Sequence, residues 1–264
     1  MSKIHTTFCR LAAALLVLPL AAPLAAQMGA APPKSEIAQR IEKALASNIR
    51  TPEERARDAT ERKPVQTLEF FGLKEDMTVI EIMPGAGWYT KVLGLTLAEK
   101  GQLHVFGGSA RLAPRLKEWG LDKVQIAEGK FVTRPSGQRG VFDLEAVEIP
   151  VKNADIALTF RNVHNMTPAS RAMLNKAVFA ALKPGGVYGI VDHTRRHNEP
   201  TSDENWRRID PVIVIKEALD AGFQFEAFSN LHYRPDDELR YDSQRPSIAG
   251  YSDRFTLKFR KPAK

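Results

Sequence analysis

The chain is nearly without cysteine. Its 264 residues hold one, Cys9, and that lies ahead of the first apolar run. Cysteine nucleophiles, disulfide frameworks and cysteine-based zinc sites are therefore excluded from everything downstream of it. Long apolar stretches are lacking too. The longest, from Leu11 to Ala26, falls short of the ~20 residues a membrane span needs and contains Pro19 and Pro23. There is no H-E-x-x-H helix and no G-x-S-x-G elbow, so the common zinc-hydrolase and serine-hydrolase signatures are missing. A net charge of +7 could suit nucleic acid, but the Lys and Arg residues are scattered among acids and no basic-aromatic cluster forms. We read the charge as serving solubility, with no nucleic-acid partner.

What is present begins with segments in the order of a secretory signal peptide. Lys3, His5 and Arg10 form a basic head, Leu11 to Leu20 an apolar middle, and Ala21 to Ala26 a small-residue tail. Residues 1–26 are expected to be a signal peptide cleaved after Ala26. The mature protein would then be periplasmic or secreted, with no stable membrane anchor. An uncleaved N-terminal anchor is the alternative, because Leu24 fits the small-residue rule poorly. Cys9 stands before the apolar run, where a lipoprotein cysteine would not.

The rest, 43% hydrophobic and 26% charged, has the composition of a globular α/β domain. Residues 27–72 are expected to form a tether and an N-terminal helical cap. Ile37, Ile41 and Leu45 recur at helical spacing. Thr51, Pro52 and Glu54 make a capping box, and a third helix runs from Pro64 to Gly72. Residues 73–264 then alternate strand and helix. Strands are expected at Thr78–Met83, Gln102–Phe106, Val124–Ala127, Asp155–Phe160 and Gly186–Val191, followed by an antiparallel pair at Phe223–Phe228 and Arg254–Phe259. Arg134 to Gly140 reads as a loop. The alternation implies a doubly wound, mostly parallel seven-stranded sheet of Rossmann-like type, with the first strand central.

Two motifs sit where ligands bind in such sheets, at the carboxyl ends of the strands. The first strand runs through Glu81 and Ile82 into Met83-Pro84-Gly85-Ala86-Gly87, and a helix opens at Trp88. Gly85 and Gly87 lack the Cβ that would block a close backbone approach. A tight strand-to-helix turn would explain the same glycines. The second motif is Leu182-Lys183-Pro184-Gly185-Gly186, which stops a helix and returns the chain to the sheet at Val187–His193.

With the strand Asp155–Phe160 and its exit Arg161-Asn162-Val163-His164, these motifs resemble class I S-adenosylmethionine (SAM)-dependent methyltransferases. More narrowly, Arg55-Ala56-Arg57-Asp58, Phe70-Phe71-Gly72-Leu73, Ile209-Asp210-Pro211 and Ser252-Asp253-Arg254-Phe255 resemble a family of exported bacterial proteins described as predicted methyltransferases. The resemblance implies SAM as cofactor and a small molecule as acceptor. It also implies a cofactor site at Glu81, Met83, Pro84, Gly85, Ala86, Gly87, Gly107 and Arg161.

For catalysis it points to His164, a suitable base near neutral pH, with Asp192 and His193 at the adjoining strand end. A packed His164, an Asp192 that caps a turn, and an Arg161 paired to a cap acid such as Asp58 are the structural alternatives. No metal site is expected.

The chain departs from the family pattern at three points. Met83 stands where glycine is usual, and Pro84 should push it toward extended backbone. The second strand ends in Phe106-Gly107-Gly108 without the carboxylate that holds ribose hydroxyls. Losing a hydrogen bond to a charged group, about 1.5–3 kcal/mol, would weaken a nucleoside ligand by roughly 10- to 150-fold. The third-strand exit Ala127-Glu128-Gly129-Lys130 lacks the acid that often meets adenine. An exported enzyme would also need a donor supply outside the cytosol. These points favour the alternative of a repurposed small-ligand-binding protein.

Overall fold

The computed structural model describes residues 33–263. The expected leader over 1–26, and all but the end of the tether, lie outside them. Helix α1 (Glu36–Leu45) is capped by the Ser35 hydroxyl and buries Ala38, Ile41 and Ala44. Helix α2 (Pro52–Arg57) carries the full capping box between Thr51 and Glu54. A π-helical turn (Asp58–Arg62) leads into α3 (Pro64–Phe71), which ends at Gly72 in left-handed backbone.

The α/β part follows as β1 (Thr78–Ile82), α4 (Trp88–Leu97), β2 (Gln102–Phe106), α5 (Ala113–Glu118) and β3 (Gln125–Ile126). Next come β4 (Lys130–Pro135), β5 (Phe142–Glu148), β6 (Ala154–Phe160), α6 (Pro168–Ala181) and β7 (Leu182–His193). Helix α7 (Pro211–Asp220), β8 (Gln224–Ser229) and β9 (Arg254–Arg260) close the chain.

Seven strands form one sheet in the order β3-β2-β1-β6-β7-β9-β8. β1 pairs in parallel with β2 and β6 at the centre, as the sequence implies. β9 runs antiparallel to both β7 and β8. Alternation along the strands divides the core in two. Ile80, Ile82, Tyr188 and Ile190 face α6 and α7. Val79, Leu158, Val187 and Val191 face α1, α3 and α4 through Ile41, Leu68, Phe71 and Leu93. Each fully buried aliphatic side chain contributes about 1.5–3 kcal/mol against exposure. Among the described residues no helix is long and apolar enough to cross a membrane.

Two expectations need correction. The stretch Arg134–Gly140 is not simply a loop. β4 and β5 pair antiparallel around it, with a register shift between Val132 and Thr133, and make a separate hairpin. Met83 is not extended either. Its φ is 54°, so it keeps the left-handed conformation expected of glycine at that place despite its side chain and despite Pro84. Such a conformation costs a non-glycine residue about 1–3 kcal/mol.

Candidate functional site

At the carboxyl end of the sheet, β1 delivers Glu81 to the α4 side, where Thr90 donates a hydrogen bond to its carboxylate at 2.6 Å. Burial pushes Glu81 up to about 7. The following turn, Met83 to Gly87, is tied across the sheet by Asn162, whose amide donates to the carbonyls of Ile82 and Met83 at 3.1 Å each.

A cavity of about 280 Å³ opens over this turn, lined by Glu81, Met83, Pro84, Gly85, Arg62 and Arg161 among others. Gly85, at φ 60°, has open space where a Cβ would point. Gly87 faces elsewhere. A Cβ there would come within 2.8 Å of the Trp119 ring, so this glycine serves the packing of α4 and not the cavity. Gly107 also stands outside it. Its missing Cβ faces the ring of Phe131 and the side chain of Met83, at 3.1–3.3 Å.

The cavity wall is rich in arginine. Arg62 is 7% exposed and lies over Trp88 and Tyr89, at 4.4 and 5.4 Å from the ring centres. Arg161 is half-buried and held at φ 64°, a second strained backbone position on the same wall. It does not pair with Asp58, which Arg50 holds through two hydrogen bonds of 2.6 and 2.7 Å. The Arg62, Arg161 and Arg50 neighbourhood could not be read from spacing, because it joins the π-helical turn to the exit of β6. Trp88 is buried and donates to the Glu54 carbonyl at 3.1 Å, a packing contact with the first helices.

Beyond Arg161, a short 3-10 turn (Val163–Asn165) sets His164 against the end of β7. The Asp192 carboxylate accepts from His164 Nδ1 at 2.6 Å and from the backbone N–H groups of His164 and His193 at 3.2 and 2.7 Å. A carboxylate at Nδ1 makes that nitrogen the proton carrier and leaves Nε2 with the lone pair of a base. His164 lines a second cavity, of about 290 Å³, with Thr167, Arg195, Trp206, Ile209 and Ile213. No motif or spacing pointed to Trp206 or Arg195 here. Both come from the long segment after β7 that carries no regular strand or helix.

His193 is turned inward. Its Nδ1 lies 2.9 Å from the Ser252 hydroxyl, and burial holds it well below the usual histidine range, so it stays neutral. The structure thus joins His164 to Asp192 and leaves His193 as a buried neighbour, with rings 5.7 Å apart. His104, within β2, is half-buried. No group of three or more His, Cys, Asp or Glu among the described residues is placed to hold a metal ion.

No protein-family model matches the chain, and no curated protein sequence does. Solved structures do match. A SAM-dependent methyltransferase from Aquifex aeolicus aligns over 84% of this chain and 97% of its own, with TM-score 0.55 and 18% identity. The [4+2]-cyclase SpnF aligns over 83% and 86%, with TM-score 0.54 and 16% identity. Human N-acetylserotonin methyltransferase, in complex with SAM, aligns over 86% of this chain and 56% of its own, with TM-score 0.50 and 14% identity. The chain has the class I SAM-dependent methyltransferase fold.

SAM is the cofactor this fold implies, and the residues present match its two ends unequally. The open approach over Gly85 leaves room for an amino-acid end, though the arginines of the same wall are left with an excess of positive charge. At the nucleoside end, Gly107 meets Phe131 and Met83, and no carboxylate ends β2.

Proposed function

We propose that the chain is a SAM-dependent methyltransferase acting on a small acceptor, exported from the cytoplasm. The observation that carries this reading is the His164–Asp192 pair. It stands at the carboxyl ends of β6 and β7, on the wall of a cavity lined by Trp206 and Ile213. SAM, when bound, supplies an electrophilic methyl group. Gly85 lets the backbone approach the donor, and Glu81, Met83, Pro84 and Ala86 shape the same turn. Asp192 orients the His164 ring, and Nε2 takes the proton from an acceptor hydroxyl or amine. Trp206 and Ile213 supply apolar wall, which favours displacement of water from the acceptor. Such base assistance contributes typically 10²- to 10⁴-fold.

The test is transfer of labelled methyl from SAM to a panel of small hydroxyl and amine compounds. His164→Gln is expected to lower kcat by 10²-fold or more with KM for SAM unchanged. Equal kcat in the variant and the wild type would remove His164 as the base.

A second reading has its own support. Phe131 and Met83 fill the space beside Gly107, and SpnF demonstrates that the fold also houses a cyclase. On that reading the protein binds another small molecule without methyl transfer. Calorimetry separates the two: a methyltransferase takes up SAM and its demethylated product, and a repurposed fold gives no heat with either at millimolar concentration.

A further inference from the structure

Arg62 and Arg161 are two guanidinium groups without a side-chain hydrogen bond among the described residues, and the Nε of each is buried and unpartnered. Both line the 280 Å³ cavity, and both also line a narrow crevice behind it, formed with Tyr89, His232 and Arg254. The Nε of Arg254 is unpartnered too.

The local acids do not balance these charges. Glu61 is bound by Arg57 at 2.9–3.0 Å and lies 3.5 Å from Arg254. Asp192 is held by His164. Glu54, also on the wall, is held by Lys91 at 3.0 Å, and burial favours the neutral form of Glu81, the remaining acid there. Burial, and then the charge of Arg161, pulls Arg62 down to about 8. An arginine keeps its proton, and beyond the faces of Trp88 and Tyr89 no carboxylate among the described residues hydrogen-bonds this one.

We propose that this cavity binds the anionic group of a small oxyanion, a phosphate ester or polycarboxylate, between Arg62 and Arg161. The inference rests on the Gly85 cavity being the ligand site and not on methyl transfer. A zwitterionic amino-acid end does not meet the need. Its ammonium group sits beside its carboxylate and would face the same guanidinium groups, so the pair adds no net negative charge. A phosphate or a dicarboxylate adds it in full and supplies enough acceptor oxygens for both forks. The left-handed backbone of Arg161 fits the same reading, since strained positions persist where a ligand contact needs them.

The experiment is titration of the protein, in the absence of SAM and at constant ionic strength, with inorganic phosphate, malonate and methionine as separate probes. Phosphate and malonate are expected to bind with millimolar Kd, and methionine at least tenfold more weakly. Arg62→Met and Arg161→Met should each weaken phosphate by tenfold or more, while Arg111→Met leaves it unchanged. Arg62→Met is also expected to melt at or above the wild-type temperature without phosphate, because it removes an unpaired buried charge at similar volume. That variant therefore reports binding with the fold intact.

The proposal is overturned if phosphate and malonate both fail to bind, if both variants bind phosphate as the wild type does, or if methionine binds as tightly as phosphate. A failure to transfer methyl groups touches none of these outcomes, so the two readings fall separately.

Discussion

Glu81 shows how one buried residue ties the site to stability. Burial raises it to about 7 from 4.5, so between those pH values the folded chain keeps a proton that the unfolded chain has lost. Its contribution is full below about pH 4.5 and is lost as pH rises through 7, by about 3 kcal/mol at most. His232 acts in the opposite sense. Burial pulls it down to about 4 from 6.5, so its contribution is present above pH 6.5 and lost as pH falls toward 4. The two slopes oppose each other between pH 4.5 and 6.5. Glu81→Gln keeps an oxygen for the Thr90 hydroxyl and deletes the first slope. The variant should be more stable than wild type at pH 8, and its stability should rise more steeply from pH 4.5 to 6.5. Urea denaturation at pH 5, 6.5 and 8 checks this. A variant less stable at pH 8 would mean that Arg62 holds Glu81 ionised.

Among the elements, those that the chain builds locally were legible. The Thr51–Glu54 capping box and the apolar runs of β1 and β6 each carry their signal within a few residues, whereas α6 ends at Ala181 and β7 already starts at Leu182, ahead of the Pro184-Gly185 stop and of the strand start expected at Gly186. The hairpin β4–β5 carried one too. Phe142 and Leu144 alternate with Asp143 and Glu145, but Pro135, Ser136 and Gly137 read more strongly as loop. Its consequence was not legible at all. Phe131 lies on β4, far along the chain from Gly107, and only the folded hairpin brings its ring over that glycine. Likewise, nothing in the spacing joins Arg62 to Arg161. Phe131 packs edge-on against Phe106 and Phe142, at 5.6 and 6.4 Å between ring centres. Phe131→Ala should therefore loosen the hairpin and clear the place beside Gly107 where a ribose would lie. SAM binding, expected to be weak in the wild type, should tighten severalfold in the variant when measured by calorimetry. Weakened binding would mean that Phe131 is a wall of the nucleoside site, and unchanged binding that it does not obstruct that site.

At the scale of the whole molecule, the question that the fold leaves to chemistry is the compartment. Residues 1–26 have charges, an apolar run and small residues in the order expected of an export leader, and every described element begins after them, from Glu36 onward. Cleavage after Ala26 would thus remove none of them. It would also remove Cys9, leaving a chain that an oxidising compartment cannot cross-link through thiols. The same cut would take away Lys3 and Arg10 and leave the arginines of the cavity, so a cleaved chain would keep the proposed anion site. We expect N-terminal sequencing of the extracytoplasmic fraction to begin at Gln27. Met1 intact in that fraction would refute cleavage and favour the uncleaved anchor. Recovery of the whole chain in the cytosol would refute export, and it would remove the difficulty of donor supply, because SAM would then be at hand. Compartment and cofactor are in this way one question. A mature N-terminus at Gln27 together with phosphate binding and no SAM heat would favour the ligand-binding reading, and cytosolic retention with SAM uptake would favour methyl transfer.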